Sequence, residues 1–185
     1  MIVCPSLECY IAVLVILLLV SLYFNLQFSR TLKERDKGDG MLIKQAYFNP
    51  VTELPNRTNI EVVIGDQIDR SHRHEKPFLV AVLIVKEYKG EFIRSISDTL
   101  VTTFRDEDIL AHIEDDTFVV VFNEYLQETN FEILLQRINA VFDKKITNEE
   151  NESMKVELAI GHSKYPDDAV SISGLIEEAT RKALK

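Results

Sequence analysis

Hydrophobic and polar positions along this chain change period several times, and each change marks an element. From Tyr10 to Phe28 the run YIAVLVILLLVSLYFNLQF carries no charge. At a rise of about 1.5 Å per residue it spans roughly a hydrocarbon core, so the pattern predicts a transmembrane helix over 10–28. KGDG at 37–40 breaks the pattern, a short helix resumes near Met41 and runs to Tyr47, and NPVTELPNR follows as a turn segment. Ile60, Val63, Ile64 and Ile68 recur at helical spacing and predict a helix over 58–71, with SHRHEK as a polar loop after it. PFLVAVLIV (77–85) is continuously apolar and reads as a buried central strand.

Phe92, Ile93, Ile96, Leu100 and Phe104 form one stripe and predict a second helix over 90–104. ILAHIE and TFVVVF are two strands flanking acids, the pattern of a hairpin with EDD at its turn. TNFEILLQRINAVFDKKI is amphipathic, with Ile133, Leu134, Ile138 and Phe142 inward. KVELAIGHSKY is a strand, and SISGLIEEATRKALK is a closing helix capped by Ser171 or Ser173. The order α-β-α-β-β-α-β-α implies an α+β, ferredoxin-like or palm-like antiparallel sheet flanked by helices.

Charge orients this arrangement. Glu8 is the charged side chain before the apolar run, whereas Arg30, Lys33, Arg35 and Lys37 follow it. The positive-inside rule then makes residues 1–9 a short periplasmic N-terminus, 29–45 a juxtamembrane linker and 46–185 a cytoplasmic domain at the inner membrane. A net charge of −9 argues against a nucleic-acid partner, which needs a basic face. The two cysteines, Cys4 and Cys9, give neither a disulfide framework nor a metal motif nor a Cys-His nucleophile pair. His72, His74 and Glu75 read as a polar connector, His112 as a structural or exposed imidazole, and His162, after a strand-end glycine, as a surface residue.

Three stretches resemble the GGDEF domain family over residues 46–185. NPVTELPNR is similar to its opening D-x-L-T-x-L-x-N-R, with Thr52, Leu54, Asn56 and Arg57 matching. Glu114, Asp115, Asp116, Thr117 and Phe118 stand where the family has G-G-D/E-E-F, and VELAIGHSKYPDD resembles its S-x-G-x-A-x-Y-P strand. The resemblance implies a diguanylate cyclase fold, in which two domains each hold GTP and two divalent cations and form cyclic di-GMP. It also shows what this chain lacks. The family's metal-binding D-x-D-x-F-K aligns with Ile84, Val85, Lys86, Glu87, Tyr88 and Lys89, and Ile84 offers no oxygen to a hard cation. The guanine-contacting segment that follows in the family is absent, since Lys89 runs directly into Gly90. The hairpin glycines, which let backbone approach phosphates, are Glu114 and Asp115, and Thr117 replaces the glutamate. The expectation is a degenerate member with no catalytic residues, no metal and no cofactor.

One family feature survives. RDED supplies Arg105 and Asp108 in the R-x-x-D spacing of the family's inhibitory cyclic di-GMP site, five residues before Glu114, and Arg137 matches a supporting arginine on the next helix. Arginine's planar fork suits phosphate or a guanine edge. An aspartate accepts from guanine N–H groups. Two functions remain open: a cyclic di-GMP receptor using these three residues, or a ligand-free module that docks or dimerises with a protein partner.

Overall fold

The computed structural model describes residues 43–87, 89–122 and 128–185. The predicted membrane helix over 10–28, its flanks and Tyr88 lie outside the described residues. Gln45–Lys185 forms one compact unit. After a helical turn at 43–47, its elements are α1 (Arg57–His74), β1 (Phe78–Lys86), a 3-10 turn (Gly90–Phe92), α2 (Ile93–Thr103), β2 (Ile109–Glu114), β3 (Thr117–Phe122), α3 (Glu128–Phe142), β4 (Ile146–Thr147), β5 (Ser153–Met154), β6 (Glu157–Tyr165) and α4 (Ile172–Ala183). β1 pairs antiparallel with β3 and β6, and β2 pairs antiparallel with β3, giving the order β2-β3-β1-β6.

The apolar run of β1 is explained by burial on both faces. Phe78, Val80 and Val82 share a cluster with Ile60 and Ile64 of α1 and Leu175, Ile176 and Ala179 of α4. The alternate residues Leu79, Ala81, Leu83 and Val85 share the other cluster with Ile93, Ile96 and Leu100 of α2 and Leu134, Ile138 and Phe142 of α3. The sheet is therefore the middle layer between two helix pairs.

α4 lies directly on β6 because residue 161 has no side chain. A Cβ built there would stand 2.1 Å from the carbonyl oxygen of Ala179 and 2.3 Å from the amide nitrogen of Ala183. Ser163 reinforces the contact, its buried hydroxyl donating to the Leu175 carbonyl at 2.7 Å. Ser171, one of the two expected caps, accepts from the Gly174 N–H at 3.2 Å and starts α4. Asn56 caps α1 the same way, through the Asn59 N–H.

Four expectations need correction. α1 does not stop before SHRHEK but continues to His74. Ser71 is buried and donates to the Lys76 carbonyl, and Glu75 ends the helix in the left-handed region at φ 53°. His72, Arg73 and His74 then suit the negative end of the helix dipole. On α3 the inward stripe begins at Phe131, and Ile133 is 62% exposed because it sits about 100° around the helix from Leu134. The helix also ends at Phe142, and Ile146 instead pairs with Met154 in a two-strand ribbon too short to show periodicity. Finally, Gly161 is mid-strand, and His162 is half-buried with its ring 4.1 Å from that of Phe131.

Gly161→Ala is expected to push α4 off β6 and lower the unfolding free energy by about 1–3 kcal/mol. Urea denaturation of the full-length variant followed by circular dichroism measures this.

Candidate functional site

At the signature hairpin, β2 ends at Glu114, Asp115 and Asp116 turn, and β3 starts at Thr117. The register slips between His112 and Glu114, so the turn is irregular rather than a glycine turn. Thr117 is buried and donates to Asp116 Oδ1 at 2.7 Å, while the Asp116 carbonyl accepts from the Val85 N–H at 2.8 Å. Glu114 pairs with Arg57 whereas the Asp116 carboxylate accepts from Thr117, and among the described residues no three His, Cys, Asp or Glu side chains are grouped to hold a cation.

Ile84 sits beside this turn, opposite Thr117 on one side and Ala159 on the other, half-buried against the α1–α4 cluster. A hard cation needs several oxygens at this strand end. The side chains present do not fit the pair of cations that the family's chemistry uses.

His112 organises the turn in a way the sequence did not disclose. It is 3% exposed and stacked on Phe118, with ring centroids 4.5 Å apart. Its Nε2 is 3.2 Å from the Asp115 carbonyl and its Nδ1 3.1 Å from Thr52 Oγ1. A carbonyl only accepts, so the neutral ring donates from Nε2 and accepts the Thr52 hydroxyl at Nδ1. The His112 N–H also donates to the Pro55 carbonyl at 2.8 Å. Around Asn49, whose side chain accepts from the Val51 and Thr52 N–H groups, the opening segment folds into a loop. That loop is clipped to the hairpin by His112 and, on the surface, by an ion pair between Arg57 and Glu114. The signal available in the sequence was a histidine alternating with apolar residues on a strand, which fixes no partner.

Upstream, α2 ends at Thr103 and the chain turns through Arg105–Asp108. The Asp108 N–H donates to the Arg105 carbonyl at 3.0 Å, and Asp108 Oδ2 accepts from the Arg105 N–H at 3.2 Å. Burial pushes the Asp108 carboxyl above the usual range; the Arg105 N–H, the Arg105 charge and the Arg137 charge oppose this, and Glu107 adds to it. The structure thus brings Arg105, Asp108 and Arg137 within electrostatic reach, with the Arg105 side chain 61% exposed and 3.4 Å from Glu107 Oε1. Glu107, an acid inside the same R-x-x-D run, is therefore the side chain that the guanidinium faces. His72, His74 and Glu75 form no such cluster.

A family model described as "Diguanylate cyclase, GGDEF domain" matches residues 46–185. No curated protein matches the sequence. Among solved structures, the coiled coil and GGDEF domain of DgcB from Caulobacter crescentus in complex with c-di-GMP is similar at TM-score 0.73 and 17% identity, over 89% of this chain and 93% of that one. The GGDEF domain of YfiN (TpbB) from Pseudomonas aeruginosa is similar at TM-score 0.69 and 17% identity, over 75% and 87%. Diguanylate cyclase SiaD of Pseudomonas aeruginosa, in complex with its activator SiaC, is similar at TM-score 0.67 and 18% identity, over 96% and 70%. At these identities the likeness establishes the shared fold.

Burial lowers the His112 pKa, against weaker raising effects from the Asp115 and Glu114 backbone. The unfolded ring takes up a proton at about 6.5, ahead of the folded one, so protons favour unfolding. Stability should be full above about pH 6.5 and decline as pH falls through the lower folded value. Urea midpoints taken from pH 7.5 downward are expected to show this decline, and His112→Phe should remove that component of it.

Proposed function

The chain belongs to the GGDEF domain family, and from that membership we propose a signalling protein that responds to cyclic di-GMP without making it. In this reading the run at 10–28 holds it in the inner membrane, with the domain on the cytoplasmic side, as the basic flank favours. The observation that carries the loss of cyclase chemistry is Ile84. An aliphatic side chain packed at the end of β1 supplies no metal oxygen, and the acids at the hairpin set negative charge where a triphosphate would lie. Family relatives are cyclases; this member lacks their metal, base and phosphate contacts together.

Arg105, Asp108 and Arg137 support a receptor. An exposed guanidinium stands beside a carboxylate whose charge is unfavourable where it sits, and a second arginine lies near. Guanine N–H groups would satisfy Asp108, and the two arginines would take phosphate oxygens. DgcB was solved with c-di-GMP, which gives the fold a precedent for holding that ligand. The second reading is a ligand-free scaffold that docks or heterodimerises with a partner at the membrane. The Arg105–Glu107 contact favours it, because the guanidinium already faces a carboxylate. SiaD, held with its activator SiaC, gives a precedent for partner binding.

Calorimetry of the full-length chain with cyclic di-GMP separates the two. The receptor reading expects micromolar binding that Arg105→Ala weakens at least about tenfold; no heat at high micromolar ligand leaves the scaffold. Incubation with GTP and Mg²⁺ is expected to yield no cyclic di-GMP from the wild type or from Ile84→Asp, because the guanine-contacting segment is missing as well. Turnover by the wild type would refute the loss of catalysis.

A further inference from the structure

Helix α1 has a second face, turned away from its buried Ile60 and Ile64. Val62, Gly65, Asp66 and Asp69 lie along it, and with Val170 and Ile172 they line an open groove of about 880 Å³. Its apolar side chains are uncovered: Val62 is 56% exposed and Val170 is 69% exposed. Gly65 is the second peculiarity. A glycine inside a helix is less favourable than alanine, because its backbone loses more freedom on folding. Here a Cβ would meet only Ile172 Cδ1 at 3.5 Å, an ordinary contact, and no described glycine has positive φ. The described fold therefore gives no reason for glycine at 65, whereas a backbone approaching from outside does.

The rim of the groove is acidic. Glu61 has Arg57 at 3.6 Å, while Asp66 and Asp69 are exposed and have no ion-pair partner among the described residues. We propose that this groove docks an amphipathic helix of a second protein, with small and apolar residues on one face and Lys or Arg on its flanks. A small residue over Gly65 lets two helix backbones come close, and the basic flanks meet Asp66 and Asp69. The same rim repels an anionic bilayer. The groove shares no residue with Arg105, Asp108 or Arg137, so the inference stands apart from the nucleotide reading.

The probe is a synthetic amphipathic helix of alanine, leucine and lysine, about 18 residues long, with a benzophenone on its apolar face. It is titrated by fluorescence anisotropy against the full-length chain in zwitterionic nanodiscs, with empty discs subtracted. Saturable binding is expected, weakened about tenfold by Gly65→Leu and by Asp66→Lys with Asp69→Lys. Photo-crosslinks should fall within 57–74 and 170–173. Gly65→Ala guards against misfolding: it should raise the thermal midpoint while weakening the probe. Equal binding by a scrambled peptide, crosslinks elsewhere, or unchanged affinity in Gly65→Ala and the charge-reversed variant would overturn the proposal. So would a concentration-dependent dimer dissolved by Gly65→Leu, or a peptide of residues 29–42 crosslinking in the groove, since each names a different occupant.

Discussion

Burial of β1 on both faces constrains everything around it. A strand with no solvent face tolerates charge only at its ends, and Lys86, the first exposed residue of β1, comes at its last position. Helix pairs must cover both sides, which fixes α1 and α4 on one face and α2 and α3 on the other. Among the described residues, polar side chains come close to this strand at its C-terminal end, where Lys86 and the acidic hairpin stand. Ile84 extends the apolar character of β1 towards that end, half-buried against the α1–α4 cluster.

The close seat of α4 on β6 is the second constraint, and it depends on one missing atom. Gly161 brings helix backbone against strand backbone, and Ser163 ties the two through a single buried hydroxyl. Phe78 and Tyr165, stacked with ring centroids 5.2 Å apart, close the same layer at the far end of the strand pair. The apolar layer between α1, the sheet and α4 is thus bounded by tight contacts rather than by bulk.

Elements with a strong period were legible in the sequence. Both strands of the hairpin, the central strand and the stripe from Phe92 to Phe104 stand where alternation and helical spacing put them. What failed was decided by tertiary partners. SHRH looked like a loop because it is polar, yet Ser71 found a carbonyl and Glu75 took the left-handed turn that stops the helix. Ile133 looked inward until Phe131, two residues earlier, claimed the stripe. At the candidate site, the resemblance to the family's R-x-x-D run singled out Arg105 and Asp108, and a local turn holds the two together. The partners of His112 and Thr52 could not be read, because each depends on a contact between segments far apart in the chain. A composition argument sees an imidazole; only geometry supplies its two partners.

The hydrogen bond from the Val85 N–H to the Asp116 carbonyl has a mechanical meaning. It continues the β1–β3 ladder one rung beyond Thr117, the first residue of β3, so the acidic turn extends the sheet rather than lying over it as a lid. A turn bonded in this way cannot swing outward without breaking into the central strand. Any displacement of the acidic turn is therefore felt first at β1, and next by the helices packed on its two faces.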